Sequence, residues 1–291
     1  MDAVEVIGSG LVKAVGPPIY GRQDIGFSPG GPMDRFSVCT GNVMLGNEDF
    51  SPAVEIVFAQ AIEFKRDCVF VLTGAKRRDA ALVRHEDSSS VPLLHGAAAE
   101  ARQGDRLIPG PAEYGFRTYL CLRHCDAGDP PSHLIGRVRP PFHEIATWPD
   151  PSGRIRVVRG PEYDRLEDPA AFLNQPWIAT AEMSGMGVRL SPAGGFPLAA
   201  KLGDMVSAPV NDGTVQLTAS GPIVLLRCRQ TIGGYPRIFN VIGADVDLFG
   251  QYGPNRIIHF REVSREEAVK AAVRRYEDLE RFRRLWPAAR E

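Results

Sequence analysis

Residues 221–236 read Gly221-Pro222-Ile223-Val224-Leu225-Leu226-Arg227-Cys228-Arg229-Gln230-Thr231-Ile232-Gly233-Gly234-Tyr235-Pro236. A short apolar run rich in β-formers stops at a polar cluster and then at paired glycines, which reads as a strand running into a turn. Gly-Gly permits positive φ and lets backbone come close to a ligand. Arg229 has the geometry to clamp a carboxylate, Gln230 to read an amide, and Tyr235 to donate a proton. A tight turn with solvated polar residues accounts for the same letters.

The same punctuation recurs outward from this stretch. The chain has 30 Gly and 24 Pro, and they break up the runs Val4–Ile7, Ala53–Phe58, Val69–Thr73, Phe116–Leu122, Ile155–Arg159, Val215–Thr218, Ile223–Leu226 and Ile257–Val263. Short apolar runs between turn signals predict a mainly β protein with a few helices. Met33–Leu45 is one predicted helix, with Phe36, Cys39 and Val43 on one face, and Pro161–Leu173 is a second. Ser264 to about Leu285 is the clearest, because Ser264 and Glu267 form an S-x-x-E capping box. Val269, Val273, Tyr276, Leu279 and Phe282 follow at helical spacing. Glu266–Lys270, Glu277–Arg281 and Glu280–Arg284 are acid-before-base pairs four apart, and the helix is expected to pack on a barrel surface. Six prolines between Cys125 and Gly153 mark a linker. The expected organisation is therefore 1–128 as an N-terminal β-barrel-like subdomain, 129–153 as a Pro-rich linker, 154–263 as a C-terminal barrel subdomain, and 264–291 as a C-terminal helix.

Apolar residues make up 44% of the 291, enough for a true core, so disorder of the whole chain is excluded. A net charge of −1, with Lys and Arg spread along the chain, argues against nucleic acid as a partner. No apolar run approaches the eighteen residues a membrane helix needs, and the acidic Met1–Glu5 start does not resemble a signal peptide. A cytoplasmic location away from membranes is expected. Five cysteines at irregular spacing (Cys39, Cys68, Cys121, Cys125, Cys228) read as reduced thiols. Cys121 and Cys125 would share one face of a strand and His124 the other, which disfavours zinc, so no metal is expected.

Residues 26–30, Gly-Phe-Ser-Pro-Gly, match the G-x-S-x-G pattern of hydrolase nucleophiles. That elbow takes an oxyanion donor from the N–H after the serine, and Pro29 has none. The polar Gly21–Asp24 is also a poor buried strand, so Ser28 is not read as a nucleophile. No G-x-x-x-x-G-K-[ST] or H-E-x-x-H motif occurs, and acidic neighbours such as Glu162 and Asp164 are too common to imply glycosidase chemistry.

Many separated segments together resemble one family. They are Ser9–Val12, Gly26–Phe36, Gly41-Asn42, Leu45–Asn47, Val54–Ile56, Val158–Glu162, Met186–Leu190, Gly221–Leu225, Arg229–Thr231, Gly233–Pro236 and Val241–Asp245. In this order and spacing, over about residues 5–270, the chain resembles the second subunit of the allophanate-hydrolase-type, biotin-dependent carboxyltransferase group. That group includes the C subunit of bacterial 5-oxoprolinase, the antagonist of a sporulation-kinase inhibitor, and the matching region of urea carboxylase. The resemblance implies two cyclophilin-like β-barrel subdomains, a first-subunit (KipI-like) partner, and a small amide, urea or lactam as substrate. No cofactor is expected on this chain alone, with ATP or biotin entering only through partner subunits. The implied pocket has Tyr235, Gln230 and Asp34 as catalytic residues, with Arg189, Arg229, Thr231, Cys228 and Met33 binding substrate.

Two departures stand out. The family's Ser-Asp-Arg before Met-Gly is Met183-Ser184-Gly185 here, and its Asp before Arg-Gln-Thr is Cys228. Three functions follow as expectations: a diverged subunit of a lactam- or urea-processing complex, a stand-alone enzyme cyclising or rearranging an apolar substrate, or a non-catalytic regulatory subunit.

Overall fold

The computed structural model describes residues 3–124, 153–194 and 205–286. The chain forms two compact units. The first comprises Met1–Pro17, Asp34–Trp148 and Glu277–Glu291, and the second comprises Pro18–Met33 and Pro149–Tyr276. Cys125 and nearly all of the expected linker, 129–153, lie outside the described residues.

The first unit is built on strands β1 (Val4–Val15), β2 (Ala53–Phe64), β3 (Cys68–Arg77), β4 (Ala81–Val83), β5 (Ser90–Pro92), β6 (Ala98–Ala101), β7 (Arg106–Ile108) and β8 (Ala112–His124). They form an eight-stranded sheet in the order β5-β4-β7-β2-β8-β3-β6, with β1 paired along β2. The sheet curls into half a barrel. Strands β3 and β8 are apolar on both faces, and alternation divides their side chains between two cores. Val69, Val71, Tyr119 and Cys121 join one core with Phe36, Met44 and Leu45, while Phe70, Leu72 and Leu120 join the other with Ile56, Ile62 and Phe64. The first of these cores rests under helix α1 (Arg35–Leu45), which starts two residues later than expected because Asp34 caps it. Ser9–Val12 lies within β1, where the register shifts against β2.

The second unit contains β9 (Arg154–Arg159), β10 (Trp177–Met183), β11 (Gly187–Pro192), β12 (Ala208–Pro209), β13 (Thr214–Thr218), β14 (Gly221–Leu225), β15 (Ile232–Gly233), β16 (Arg237–Val241) and β17 (Ile257–Glu262). Seven of them close a barrel in the order β10-β11-β14-β13-β16-β9-β17, and β12 and β15 form a separate ribbon. Closure comes from β17, which pairs antiparallel with β10 and parallel with β9. Alternate residues point inward, Val215 and Leu217 from β13 and Val188 and Leu190 from β11 among them. Phe172 fills this interior, its ring 4.9 Å from Trp177, 5.2 Å from Phe239 and 5.5 Å from Phe260.

Three helical expectations change. Pro161–Leu173 is not one helix: it holds a single 3-10 turn at Tyr163–Arg165 and a short helix α2 (Pro169–Asn174). Asp168 caps α2 and Pro169 opens it, so this pair is a start signal inside what looked like one segment. Helix α3 (Gly243–Gly250) was not anticipated. Helix α4 (Arg265–Leu285) keeps its capping box, with Ser264 N bonding Glu267 Oε2 at 3.0 Å and Glu267 N bonding Ser264 Oγ at 3.1 Å. Only the last turns of its apolar stripe are covered: Phe282 is buried, whereas Val269, Val273 and Tyr276 are exposed. Phe282 packs in the core under α1, and α1 spans about 16 Å against about 31 Å for α4, too short to shield the whole stripe. Glu266–Lys270 forms at 2.7 Å. Neither Glu277–Arg281 nor Glu280–Arg284 forms among the described residues; Glu280 bonds Arg283 instead, at 3.1 Å. No helix among the described residues is long and apolar enough to cross a membrane.

Candidate functional site

Strand β14 delivers the chain from the barrel wall into residues 226–231, and backbone hydrogen bonds fix where that segment goes. Leu226 N donates to Met186 O, and Cys228 N donates to Gly185 O, both at 2.8 Å. From the other side, Gly30 N donates to Arg227 O at 2.9 Å. The segment is thus tied to the turn before β11 and to the glycine-rich loop 18–33. A Cβ on Gly185 would lie 3.2 Å from Cys228 Sγ and 3.7 Å from Met33 Cε. The two positions where this chain departs from the resembled family are therefore neighbours, and an arginine side chain at 185 would start against residue 228.

Below the segment lies a buried network of charge. Arg227 donates to Asp212 at 2.7 Å and to Asp247 at 2.8 Å, and Arg229 Nε sits 3.0 Å from the other oxygen of Asp212. Burial works against the Arg227 charge, but Asp247 and Asp212 outweigh it and hold the guanidinium above its usual pKa. Two arginines and two aspartates cancel, which is how four charges persist where water is scarce.

Above the network lie amides. Gln230 Nε2 donates to Gln216 Oε1 at 3.4 Å, and Gln216 Nε2 donates to Tyr235 O at 3.4 Å. Both bonds are long, and a long bond yields readily to a better partner. Tyr235 is 52% exposed, and its hydroxyl makes no hydrogen bond among the described residues. Thr231 accepts from Val210 N through its backbone, which leaves its side chain on the same loop. Gly233 and Gly234 do not use positive φ: Gly233 is an ordinary residue of β15, paired with Ala208. The expected close approach is made by a side chain, since a Cβ on Gly233 would lie 2.4 Å from Gln216 Nε2.

The structure brings Cys228, Arg229, Gln230, Thr231 and Tyr235 together, with Met33 buried in the barrel core beside Gly185. Arg229 is 5% exposed and held by Asp212, so it braces the loop from below. Arg189 turns to the opposite end of β14, with Nε on Glu182 at 2.8 Å and Nη1 donating to Thr218 Oγ1 at 3.2 Å. Asp34 belongs to the first unit and is fully buried. Its carboxylate accepts from Ser37 N at 3.0 Å and Ser37 Oγ at 2.5 Å, and its own N donates to Tyr119 Oη at 2.8 Å. Tyr119 in turn donates to Glu55 at 2.9 Å. Burial, then the Glu55 and Asp34 charges, push the Tyr119 hydroxyl well above its usual pKa. Asp34 thus sits as the cap that starts α1. Ser28 lies in irregular loop, preceded by a 3-10 turn at Gln23–Ile25 in place of a strand. Cys121 is a core residue whose thiol burial pushes up to about 12. Among the described residues no cluster of His, Cys, Asp and Glu could hold a metal ion.

Sequence reading missed Gln216, Asp212, Arg227 and Asp247. Gln216 carried a signal, a lone amide inside the apolar run Val215–Thr218. Asp212 precedes Gly213 and reads as an ordinary turn residue.

Comparison with known proteins agrees with this architecture. The family described as "Carboxyltransferase domain, subdomain A and B" matches residues 25–129 and 127–262. The chain is 30% identical to the C subunit of 5-oxoprolinase from Escherichia coli, covering 87% of this chain and 88% of that protein. It is 27% identical to the corresponding 5-oxoprolinase protein of Haemophilus influenzae, over 98% of each. The crystal structure of the urea amidolyase of Kluyveromyces lactis superposes with a TM-score of 0.76 at 21% identity. That superposition covers 96% of this chain but only 20% of the larger one.

Proposed function

We propose that this chain, which belongs to the carboxyltransferase domain family with subdomains A and B, is one subunit of a complex that processes a small lactam or urea-type amide. The observation that carries the reading is the Gln216–Gln230 amide pair, with Gln216 also bonding the backbone carbonyl of the exposed Tyr235, on a loop braced by Asp212, Arg227 and Arg229. The names of the curated relatives support it, since two are subunits of 5-oxoprolinase and others are urea amidolyases.

A lactam or urea presents a carbonyl acceptor and N–H donors on one edge, and a primary amide side chain offers both complements. Gln230 exchanges its weak bond to Gln216 for the substrate edge. Tyr235, with a free hydroxyl, donates to the oxygen or nitrogen that gains charge as the amide is attacked. Arg229 is a positioning residue and keeps Gln230 at the rim through its 3.2 Å bond to Gln230 O. Any ATP or biotin step belongs to partner chains in this reading. A partner surface is supported by the loop 18–33, where Ile19, Tyr20, Ile25 and Phe27 are each more than half exposed.

The test is co-expression with a first-subunit homologue and assay of 5-oxoproline and urea turnover with ATP. Tyr235→Phe should lower kcat about 100-fold, and Gln230→Ala should raise KM, neither changing the melting temperature. Unaltered turnover in Tyr235→Phe would remove the acid role. No turnover of either substrate by the co-expressed pair would remove the reading.

A further inference from the structure

The first unit carries an open cavity of its own. Strand β8 pairs with the start of β2 (Ala53 opposite Cys121) and with the start of β3 (Cys68 opposite His124). Val4 pairs with Phe64 and Ala14 with Val54, so both ends of the long β1–β2 ribbon are brought round to the end of β8. Ten residues of extended strand span about 33 Å, so this meeting requires the curl that the register shifts of β1 supply. The space between the ribbon's ends is about 460 Å³, a size typical of small-molecule sites.

Its walls combine apolar residues, Val4, Ala14 and Leu122, with the polar Asn47, Arg66 and Arg123. Arg66 makes no hydrogen bond or ion pair among the described residues. Arg123 donates once, from Nη1 to Leu45 O at 2.7 Å, which fixes its guanidinium and leaves its other N–H groups without a protein partner among the described residues. No Asp or Glu among the described residues lines the cavity. Elsewhere in this unit Arg84 is matched to Asp105, Arg106 to Glu63 and Arg117 to Glu55, while the buried Arg77 is satisfied by carbonyl oxygens and Thr118. Two guanidiniums with no acidic partner among the described residues line one concave, half-apolar space; such a pair favours an anion, and planar N–H forks favour carboxylate.

We propose that this cavity is a binding site for a small organic carboxylate with an apolar body, its charge on Arg66 and Arg123 and its hydrocarbon against Val4, Ala14 and Leu122. This does not depend on the reading of residues 216–235, which lie in the other unit. The test is isothermal titration of the full chain with hexanoate, with 1-hexanol and inorganic phosphate as comparators. Saturable one-site binding of hexanoate is expected, with weaker binding of both comparators. Arg123→Gln and Arg66→Gln should each weaken hexanoate about tenfold or more. Arg123 also holds the end of α1, so Arg66→Gln, which breaks no internal contact, is the decisive variant. Absence of saturable hexanoate binding, equal binding of either comparator, or unchanged affinity in Arg66→Gln would each overturn the proposal.

Discussion

Replacing Asp212 by Asn removes one charge from a buried set of four and leaves the shapes nearly unchanged. In the parent, Asp212 and Asp247 balance Arg227 and Arg229, and the two arginines are 7% and 5% exposed. The variant leaves one uncompensated positive charge there. At 2.7 and 3.0 Å and an effective dielectric near 20, each lost attraction is about 6 kcal/mol before solvation is subtracted. Relief of the carboxylate's own desolvation offsets much of that, and breaking a buried pair this way costs about 3–5 kcal/mol net. The melting temperature should fall by on the order of 10 °C, read by calorimetry or circular dichroism at pH 7. Charge balance also predicts a rescue: Asp212→Asn with Arg229→Met restores neutrality and should recover part of the loss, because methionine fills similar volume without a charge. A fall under about 2 °C in the single variant, or a double variant no more stable than the single, would refute the electrostatic account of how the loop is held.

Two further tests address the rest of the molecule. Glu162 accepts from Arg237 N at 3.0 Å, Nε at 2.8 Å and Nη2 at 2.6 Å, and these bonds hold its carboxyl below the ordinary 4.5. A depressed folded-state pKa adds stability that is full above 4.5 and lost as pH falls through the lower value. Glu162→Gln should therefore be less stable than the parent at pH 7, and the gap in urea midpoint should close below about pH 4; a gap independent of pH would contradict this. Trp286 is buried among the residues under α1 and donates from Nε1 to Met44 O at 3.1 Å. Trp286→Ala should cost about 3–5 kcal/mol in denaturant unfolding, and a loss under about 1 kcal/mol would mean the C-terminal turns contribute little to that core.

The β runs were legible because burial on alternating faces leaves a pattern within a few residues. Val69–Thr73 and Phe116–Leu122 are strands for the reason their letters suggest. Gln230 and Tyr235 stand out in the sequence as a polar cluster after a strand, a pattern that a solvated turn also produces. Arg189 and Arg229 were legible as charges, but their partners were not: Glu182 lies across the β10–β11 hairpin, Thr218 at the end of β13, and Asp212 in the loop before β13. Asp34 falls in the first turn of the helix expected over Met33–Leu45 and is in fact its cap. Its depth comes from Tyr119, 85 residues away, and nothing local announces that bond. The exposed half of the α4 stripe failed for a similar reason, since periodicity fixes which face is apolar but not how far the covering surface extends.

The core under α1 also constrains the order in which the protein can be made. Its strands and helix emerge early, yet Phe282 and Trp286 come only after every strand of the second unit. A ribosome that has completed β8 holds a half-barrel with one core open, and Met44 and Leu45 wait for partners until synthesis is nearly over. Contacts so distant in sequence fold slowly and leave apolar surface available for wrong pairings in the interval. Expression of shortened chains should accordingly shift to inclusion bodies once the cut passes Phe282, although every strand of both sheets is still encoded.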